Sequence, residues 1–203
     1  MIGRFALAAT LIAFVIAPAL AQTAPAAPPT RIRGTIEKLD GDKLTVKARD
    51  GMAMTIALTE ATRIQSLVKK TLADVKPGDF LASTGIKGTD GKIHAIEVRI
   101  FPQATPDGGR QFPWDLGSDS VMTNATVGTV TEAPQGKVVH VKFKDGESEY
   151  SIGPEVPILA PVPGDKSLLK PGMAVFAFGP KAADGSVTAA SMYVEKDGIK
   201  PPM

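Results

Sequence analysis

Two stretches of this chain match each other at a fixed spacing of 94 residues. Residues 76–78 and 170–172 both read Lys-Pro-Gly, and residues 90–91 and 184–185 both read Asp-Gly. At the same spacing, the segment Arg-Gly-Thr-Ile at 33–36 falls on Val-Gly-Thr-Val at 127–130. One extra residue in the following hairpin then shifts Val46 onto Val141. A constant offset over this length is typical of two copies of one structural unit. We therefore expect two domains with the same fold.

Each copy also shows the period of two that is typical of β-strands. In the first copy, polar and apolar residues alternate over 43–49 and 52–58, and Asp50-Gly51 between them is a favoured hairpin turn. A capping-box pattern at 71–74 predicts one helical turn, and strands are predicted over 80–86 and 93–101. The second copy is expected to have a helical turn at 167–169 and strands near 125–131, 138–144, 148–152, 174–178 and 186–195.

This order of elements predicts an all-β protein with two tandem OB-like five-stranded small barrels. Three strands, a short helical turn between strands 3 and 4, and two further strands have the order of the OB-fold, a partly open barrel. An SH3-like barrel in each copy, or one sandwich built from both copies, is the competing architecture. The expected boundaries are 31–101 for the first OB-like repeat, 102–124 for an inter-repeat segment and 125–203 for the second repeat.

The first 21 residues have the three parts of a secretory signal peptide. Arg4 supplies a positive charge, residues 5–16 form an apolar run, and residues 19–21 read Ala-Leu-Ala, the pattern that signal peptidase recognises. The apolar run is shorter than the ~20 residues that span a bilayer, which favours cleavage after Ala21 over an uncleaved anchor. A Pro/Ala linker over 22–30 leads into the first repeat. We expect a periplasmic or secreted protein that is not integral to the membrane after cleavage.

The inter-repeat segment 102–124 is long for a connection, and it holds the only tryptophan. Long connections of this kind are usually functional or disordered. Because the large apolar side chains of Phe112, Trp114 and Leu116 need burial, we expect them to pack on one or both barrels and fix their orientation. The functional interpretation places a binding site in a cleft beside this segment. The candidate binding residues are Arg110, Phe112, Trp114, Asp115 and Asp119.

Several of these features together resemble a family of exported proteobacterial proteins whose domain has no known function. The features are the paired repeats with their Lys-Pro-Gly turn, Pro-Trp-Asp-Leu-Gly at 113–117, Met-Thr-Asn-Ala-Thr at 122–126, and the Pro-Pro-Met end. Members often carry the label "metal ABC transporter permease", which this sequence contradicts because it contains no spanning segment. The resemblance runs from Arg31 to Met203. It implies the fold and export, and it supplies no catalytic residue.

The sequence offers few groups for catalysis. It contains no cysteine, which excludes thiol nucleophiles, disulfides and thiolate metal sites. His94 is in phase with Ile96 and Val98, so we expect it to point inward or to lie at a barrel mouth, whereas His140 is expected to face water. Two Ser-x-x-Lys segments, at 66–69 and 167–170, lack the partner motifs of that serine chemistry. A non-enzymatic protein is therefore favoured, and an enzyme of unknown class ranks third.

Copper binding is the alternative function from a different class. Thioether sulfur suits Cu(I), and Met-Ala-Met-Thr at 52–55 is similar to the Met-Thr-Met site of small OB-barrel periplasmic copper chaperones. Ile56 stands where the second methionine of that motif belongs. The metal-ligand set of this alternative is Met52, Met54 and His94. The competing interpretation is structural, with both methionines on the inward face of a strand that continues through Ile56.

The leading interpretation is an exported binding or scaffold protein whose ligand is an unknown protein partner or a small molecule. No cofactor is implied. The 23 basic residues nearly balance the 21 acidic ones, and aromatic residues make up only 5% of the chain. Proteins that bind nucleic acid usually show a basic footprint with aromatic platforms. This composition argues against a nucleic-acid partner.

Cleavage of the leader has a direct test. Produced with its leader in a Gram-negative host, the chain is expected to be recovered without residues 1–21, because the residues before the cut are small. An Ala21→Leu variant should keep the leader. Intact-mass spectrometry distinguishes the two forms, and a full-length mass for the unaltered chain would show that residues 1–21 are not a cleaved signal.

Overall fold

The computed structural model describes residues 29–201, in which the chain forms fourteen strands and two short 3-10 turns. The predicted signal peptide and nearly all of the predicted linker lie outside the described residues. The strands are β1 (Thr30–Asp40), β2 (Lys43–Ala48), β3 (Ala53–Ala57), β4 (Arg63–Lys70), β5 (Phe80–Lys87), β6 (Ile93–Phe101), β7 (Arg110–Pro113), β8 (Ser120–Ala133), β9 (Gly136–Phe143), β10 (Gly146–Ile152), β11 (Ile158–Pro163), β12 (Ala174–Gly179), β13 (Val187–Thr188) and β14 (Ser191–Val194).

The predicted all-β class is confirmed. Helical structure in the described chain consists of 3-10 turns at Leu72–Asp74 and Lys166–Leu168. A further strand, β4 or β11, precedes each turn, so neither turn directly follows the third strand of its repeat as predicted. At the first turn, the carboxylate of Asp74 accepts hydrogen bonds from the backbone N–H and the hydroxyl of Thr71, both at 2.8 Å. Within residues 29–201 we find no helix with the length and hydrophobicity needed to cross a membrane.

Five strands close into one barrel, which we call the central barrel. β8, β9 and β10 form an antiparallel meander, β10 pairs in parallel with β6, β6 pairs with β5, and β5 returns to β8. Apolar side chains on the inward face of these strands are buried, including Leu81, Val98, Val139 and Tyr150. Because the pairing closes on itself, each of the five strands has a hydrogen-bonded neighbour on both sides over at least part of its length.

The same order of pairings is found in a second set of strands, which we call the terminal ring and which consists of β1, β2, β3, β12, β13 and β14. β1, β2 and β3 form a meander, β3 pairs in parallel with β13, and β14 pairs with β12, which returns to β1. β13 and β14 are two parts of one run, interrupted at Ala189 and Ala190. The core of this ring includes Ile32, Leu44 and Val175, all of them buried.

The expectation that each repeat closes on its own strands is therefore wrong. β1 of the first repeat pairs with β12 of the second, and β8 of the second repeat pairs with β5 of the first. The compact units consequently cross the expected boundaries at 31–101 and 125–203. The sequence pattern could not show this, because a strand with the right alternation can pair with the equivalent partner in either copy.

β4 and β11 join the two units through an antiparallel pair. In this pair Leu67 lies opposite Pro161, and these two positions are themselves equivalent in the sequence repeat. β4 also pairs in parallel with β14 of the terminal ring, and β11 pairs in parallel with β6 of the central barrel. One continuous hydrogen-bonded sheet therefore runs through the whole described chain.

The expected match of segment 33–36 with segment 127–130 is wrong by three residues. Ile36 exchanges backbone hydrogen bonds with the 172–173 turn, and its counterpart at the 78–79 turn is Val127. The β8–β9 hairpin is four residues longer than the β1–β2 hairpin, where one extra residue was expected. The surroundings of Gly34 and Gly128 also differ, as expected if these two glycines are not equivalent. A Cβ at Gly34 would lie 2.1 Å from the Lys47 carbonyl oxygen, whereas at Gly128 the nearest atom is 3.5 Å away.

A third apolar cluster lies between the two units, and we call it the junction cluster. Leu67 of β4, Leu159 of β11, Phe176 of β12 and Tyr193 of β14 form its buried part. Trp114, Phe178 and Ile199 are partly buried against it. The predicted packing of Trp114 against the folded part of the chain is therefore observed, and the cluster fills the space between the central barrel and the terminal ring.

The exchange of strands is testable because the chain has no cysteine of its own. Thr35 of β1 lies opposite Ala174 of β12, and directly paired residues are close enough for a disulfide. A Thr35→Cys/Ala174→Cys variant is expected to cross-link on mild oxidation, with a shift in non-reducing electrophoresis.

The matched control is Thr35→Cys/Phe80→Cys, because Phe80 holds the position equivalent to Ala174 in the first repeat. It should stay reduced. Cross-linking of the control pair in place of the first pair would mean that each repeat closes on itself.

Candidate functional site

The outer face of the central barrel carries an arginine at each end of one row of residues. Across β6, β5, β8 and β7, Arg99 pairs with Ala82, Ala82 with Asn124, and Asn124 with Arg110. Residues that lie directly opposite one another in antiparallel strands point to the same face of the sheet. The two arginines therefore stand on either side of a low floor formed by Ala82 and Asn124.

The terminal ring and the segment after β7 cover this floor and leave a pocket of about 430 Å³, which we call the cleft. Aromatic side chains of β12 form one wall, and Arg31 of β1 and Trp114 form another. Both units therefore contribute to it. The lining residues are Pro29, Arg31, Ala82, Arg99, Arg110, Phe112, Trp114, Met122, Asn124, Phe176 and Phe178.

Trp114 is positioned by strand β7 and by a tight turn that follows it. β7 pairs with β8, and beyond its end the Trp114 N–H donates to the Ser120 carbonyl at 2.8 Å. The buried Ser120 hydroxyl lies 2.9 Å from the Trp114 carbonyl and 2.7 Å from the Gly117 carbonyl. These contacts tie the tryptophan to the central barrel while its ring lies against the terminal ring.

An ion pair connects the inter-repeat segment to β1. The Arg33 guanidinium donates two hydrogen bonds to the Asp115 carboxylate, at 2.7 and 2.9 Å, and Arg31 Nη1 lies 3.8 Å from the same carboxylate. Bidentate pairs of this kind are among the stronger charged contacts. Partial burial raises the pKa of Asp115, but the hydrogen bonds and charge of Arg33 and the charge of Arg31 outweigh it and leave the pKa below its usual value.

Guanidinium groups and aromatic rings alternate around the cleft. The Arg31 guanidinium lies 4.1 Å from the centre of the Trp114 ring, and the Arg33 guanidinium lies 4.5 Å from the centre of the Phe176 ring. Trp114 and Phe112 make an edge-to-face contact at 5.8 Å, and the Arg110 guanidinium lies 5.2 Å from the Phe112 ring. Such cation–π contacts hold the rings in place and leave the walls positively charged.

Arg99 is the most deeply buried charged group of the cleft. Its side chain is only 5% exposed, and its guanidinium lies 5.3 Å from the Tyr193 ring. Its Nε is 2.9 Å from Oε1 of Glu97, yet the two atoms are not aligned, and neither has a hydrogen-bond partner among the described residues. Burial raises the pKa of Glu97, against the opposing charges of Arg99 and Arg33.

The predicted binding residues fall into two groups. Arg110, Phe112 and Trp114 line the cleft, and Asp115 lies at its edge, where it binds Arg33. Asp119 is not among the lining residues; it is exposed, and its carbonyl accepts a hydrogen bond from the Lys87 N–H.

Sequence reasoning missed Arg31, Arg99, Phe176 and Phe178. The outward position of Arg99 on β6 is ordinary for a charged residue, and the sequence carries no sign that this face is covered. The two phenylalanines lie in the second repeat, and only the exchange of strands brings them to the inter-repeat segment.

The alternative metal ligands are not brought together. Met52 is 62% exposed and precedes β3, so its predicted place on the inward face is wrong, whereas Met54 packs partly against the core of the terminal ring. His94 belongs to the central barrel and lines a different pocket from the two methionines. Within residues 29–201 we find no group of three or more His, Cys, Asp or Glu side chains placed to hold a metal ion.

His94 lines a pocket at the surface of the central barrel, so the inward one of its two expected placements is wrong. The β-bulge opposite Thr84 and Gly85 shifts the phase of β6, so that Ile93 and Ala95 are buried and His94 is half exposed. Its Nδ1 lies 2.9 Å from the Ser151 hydroxyl.

The other ring nitrogen of His94, Nε2, lies 3.1 Å from both carboxylate oxygens of Asp90. Water reaches the histidine and the aspartate of this Ser-His-Asp cluster, and an exposed ion pair of this kind contributes little stabilisation. His140 faces water as predicted, with its Nε2 2.7 Å from Glu149.

No family model, curated protein or solved structure matches the chain. The resemblance to the exported proteobacterial family stays a prediction.

The Asp115–Arg33 pair predicts a pH-dependent contribution to stability. An Asp115→Asn variant is expected to lower the free energy of unfolding at pH 7 by roughly 1 kcal/mol, the upper range for a partly exposed pair. The pKa of Asp115 is lower in the folded than in the unfolded chain, so its contribution is present above the ordinary aspartate pKa of 3.8 and is lost as the pH falls through the folded pKa.

Urea unfolding followed by Trp114 fluorescence at pH 7 and at pH 2.5 measures this difference. Asp119→Asn is the matched control and should change the unfolding free energy little at either pH. An Asp115→Asn cost of the same size at both pH values would contradict a charge-dependent role.

Proposed function

We propose that this protein is an exported, non-enzymatic binding protein that holds a small ligand in the cleft between two OB-like barrels. The observation that carries the proposal is that the pocket takes its floor from the central barrel and its walls from the terminal ring and Trp114. Ligand sites are commonly concave, mostly apolar, and located where two units meet. The leader sequence of residues 1–21 supports export.

The order of strand pairing supports OB-like barrels. In the central barrel the meander β8-β9-β10 acts as strands 1 to 3, β5 acts as strand 4, and β6 acts as strand 5 in parallel with strand 3. The terminal ring repeats this order with β1, β2, β3, β12 and the β13–β14 run. Barrels of this class usually bind ligands on the face of strands 2 and 3, whereas the cleft floor lies on strands 4 and 1, which carry Ala82 and Asn124.

The chemistry of the cleft favours binding over catalysis. Its charged groups are mainly arginines, which do not release a proton in proteins and therefore cannot act as general bases. The two nearby carboxylates, Asp115 and Glu97, each lie within ion-pair distance of an arginine. The concave, partly open shape and the volume of about 430 Å³ also suit a small ligand better than a protein partner, since protein interfaces spread over a much larger area.

Truncation of one wall should abolish ligand retention. After incubation with an extract of the cell envelope and repurification, the wild-type protein is expected to retain one compound in near-equal amount to the chain. A Phe178→Ala variant should retain less than about a tenth of it, because the lost apolar contact is worth roughly 1.5–3 kcal/mol. Denaturation followed by mass spectrometry of the released compounds gives the amounts.

Phe143→Ala is the matched control, because Phe143 is also half-buried but packs on the core of the central barrel away from the cleft. It should retain the compound as the wild type does. Retention of no compound by the wild type, or equal loss in both variants, would contradict a ligand site in the cleft.

A further inference from the structure

The buried guanidinium of Arg99 is only partly satisfied by its surroundings. Moving a guanidinium out of water is costly unless hydrogen bonds and an opposite charge replace its hydration. In the described chain the Nε of Arg99 has no hydrogen-bond partner, although the Glu97 carboxylate lies 2.9 Å from it and supplies an opposite charge. The side chain nevertheless lines the cleft. An anion in the cleft would supply the missing acceptors.

The charges around the cleft point to a ligand of negative charge. Arg31, Arg99 and Arg110 line the cleft and Arg33 lies beside it, and the carboxylates in ion-pair contact with these arginines in the described chain are those of Glu97 and Asp115. Two positive charges are thus uncompensated locally, although the whole chain carries a net charge of only +2. In a pocket with low-dielectric aromatic walls, such an excess attracts anions more strongly than it would in open water.

The positions of Arg99 and Arg110 suit a single headgroup. They end the row that runs through Ala82 and Asn124, with three strand spacings between them, or roughly 14 Å between backbones. Two extended arginine side chains that lean inward can reach one group above the floor. The guanidinium fork binds the paired oxygens of carboxylate, sulfonate or phosphate.

The walls of the cleft suit an apolar, planar body beside that headgroup. Trp114, Phe112 and Phe178 present ring faces and edges, and Met122 adds a deformable thioether contact.

We propose that the cleft binds an amphiphilic organic anion, with an aromatic or other planar apolar body against these rings and one anionic headgroup on Arg99 and Arg110. This inference rests on the proposed ligand site in the cleft and names the chemical class of its ligand.

Two fluorescent probes that differ mainly by one charge test the class. 1-Anilinonaphthalene-8-sulfonate carries a sulfonate on a planar body, and N-phenyl-1-naphthylamine is its neutral counterpart. Both accept excitation energy from Trp114, the only tryptophan of the chain, so energy transfer reports binding near the cleft. The anion is expected to bind at least about tenfold more tightly than the neutral probe, the effect of one charged hydrogen bond.

Arginine variants assign that preference to the cleft. Arg99→Met should weaken the anionic probe by about tenfold and leave the neutral probe within about threefold. Arg110→Met, at an exposed position that tolerates replacement, should act in the same direction if Arg99→Met does not fold. Arg63→Met removes an equal charge from an exposed residue outside the cleft and should change neither probe.

The outcomes separate the two proposals. If neither probe shows energy transfer from Trp114, the ligand site itself is contradicted. If both probes bind with equal affinity, or if Arg63→Met weakens the anionic probe as much as the cleft variants do, the amphiphilic-anion class is overturned while a ligand site in the cleft still stands.

Discussion

The antiparallel pair of β4 and β11 is the contact on which the arrangement of the molecule depends. It places Leu67 opposite Pro161 at the centre and passes the hydrogen-bonded sheet from β14 on one side to β6 on the other. Because each of these two strands precedes a crossing of the chain, the later strands of each repeat pair with the first strands of the other repeat. The junction cluster around Leu67 and Phe176 then fills the space between the units.

The cleft is a consequence of that exchange. Its floor lies on β5, β6 and β8 of the central barrel, and β12 carries Phe176 and Phe178 over from the far end of the chain. Trp114 lies between them because β7 adds to the edge of β8 and the Ser120 turn directs the chain toward β1. Arg99, which would be solvated on an isolated barrel, is thereby buried beside the Tyr193 ring.

Much of the fold could be predicted from alternation and turn residues, and the exceptions have physical causes. β4 and β11 do not alternate, because each of them pairs on both edges inside the molecule, and β11 also contains Pro161 and Pro163. The exchange could not be predicted, since pairing energies depend on local pattern and not on which copy supplies the strand. The alignment of the first strand was wrong by three residues because both copies contain Gly-Thr. Only the structure shows that Gly34 is required by a close backbone contact that Gly128 does not make.

For the site, the sequence pointed to Phe112 and Trp114, because large apolar side chains in a long connection require a place to pack. Arg110 was included because it lies in the same segment. It could not locate Arg99, whose outward position on β6 is ordinary for a charged residue until a second unit covers it. Of the two placements expected for His94, the inward one fails because a β-bulge shifts the phase of β6 without a clear mark in the sequence.

Cross-strand nuclear Overhauser effects in the isotopically labelled protein test the strand exchange most directly. The account predicts contacts between Gly34 and Val175 and between Ala125 and Leu81, as the pairings of β1 with β12 and of β8 with β5 require. Contacts between Gly34 and Leu81 in their place would mean that each repeat closes its own barrel, and the cleft described here would not form.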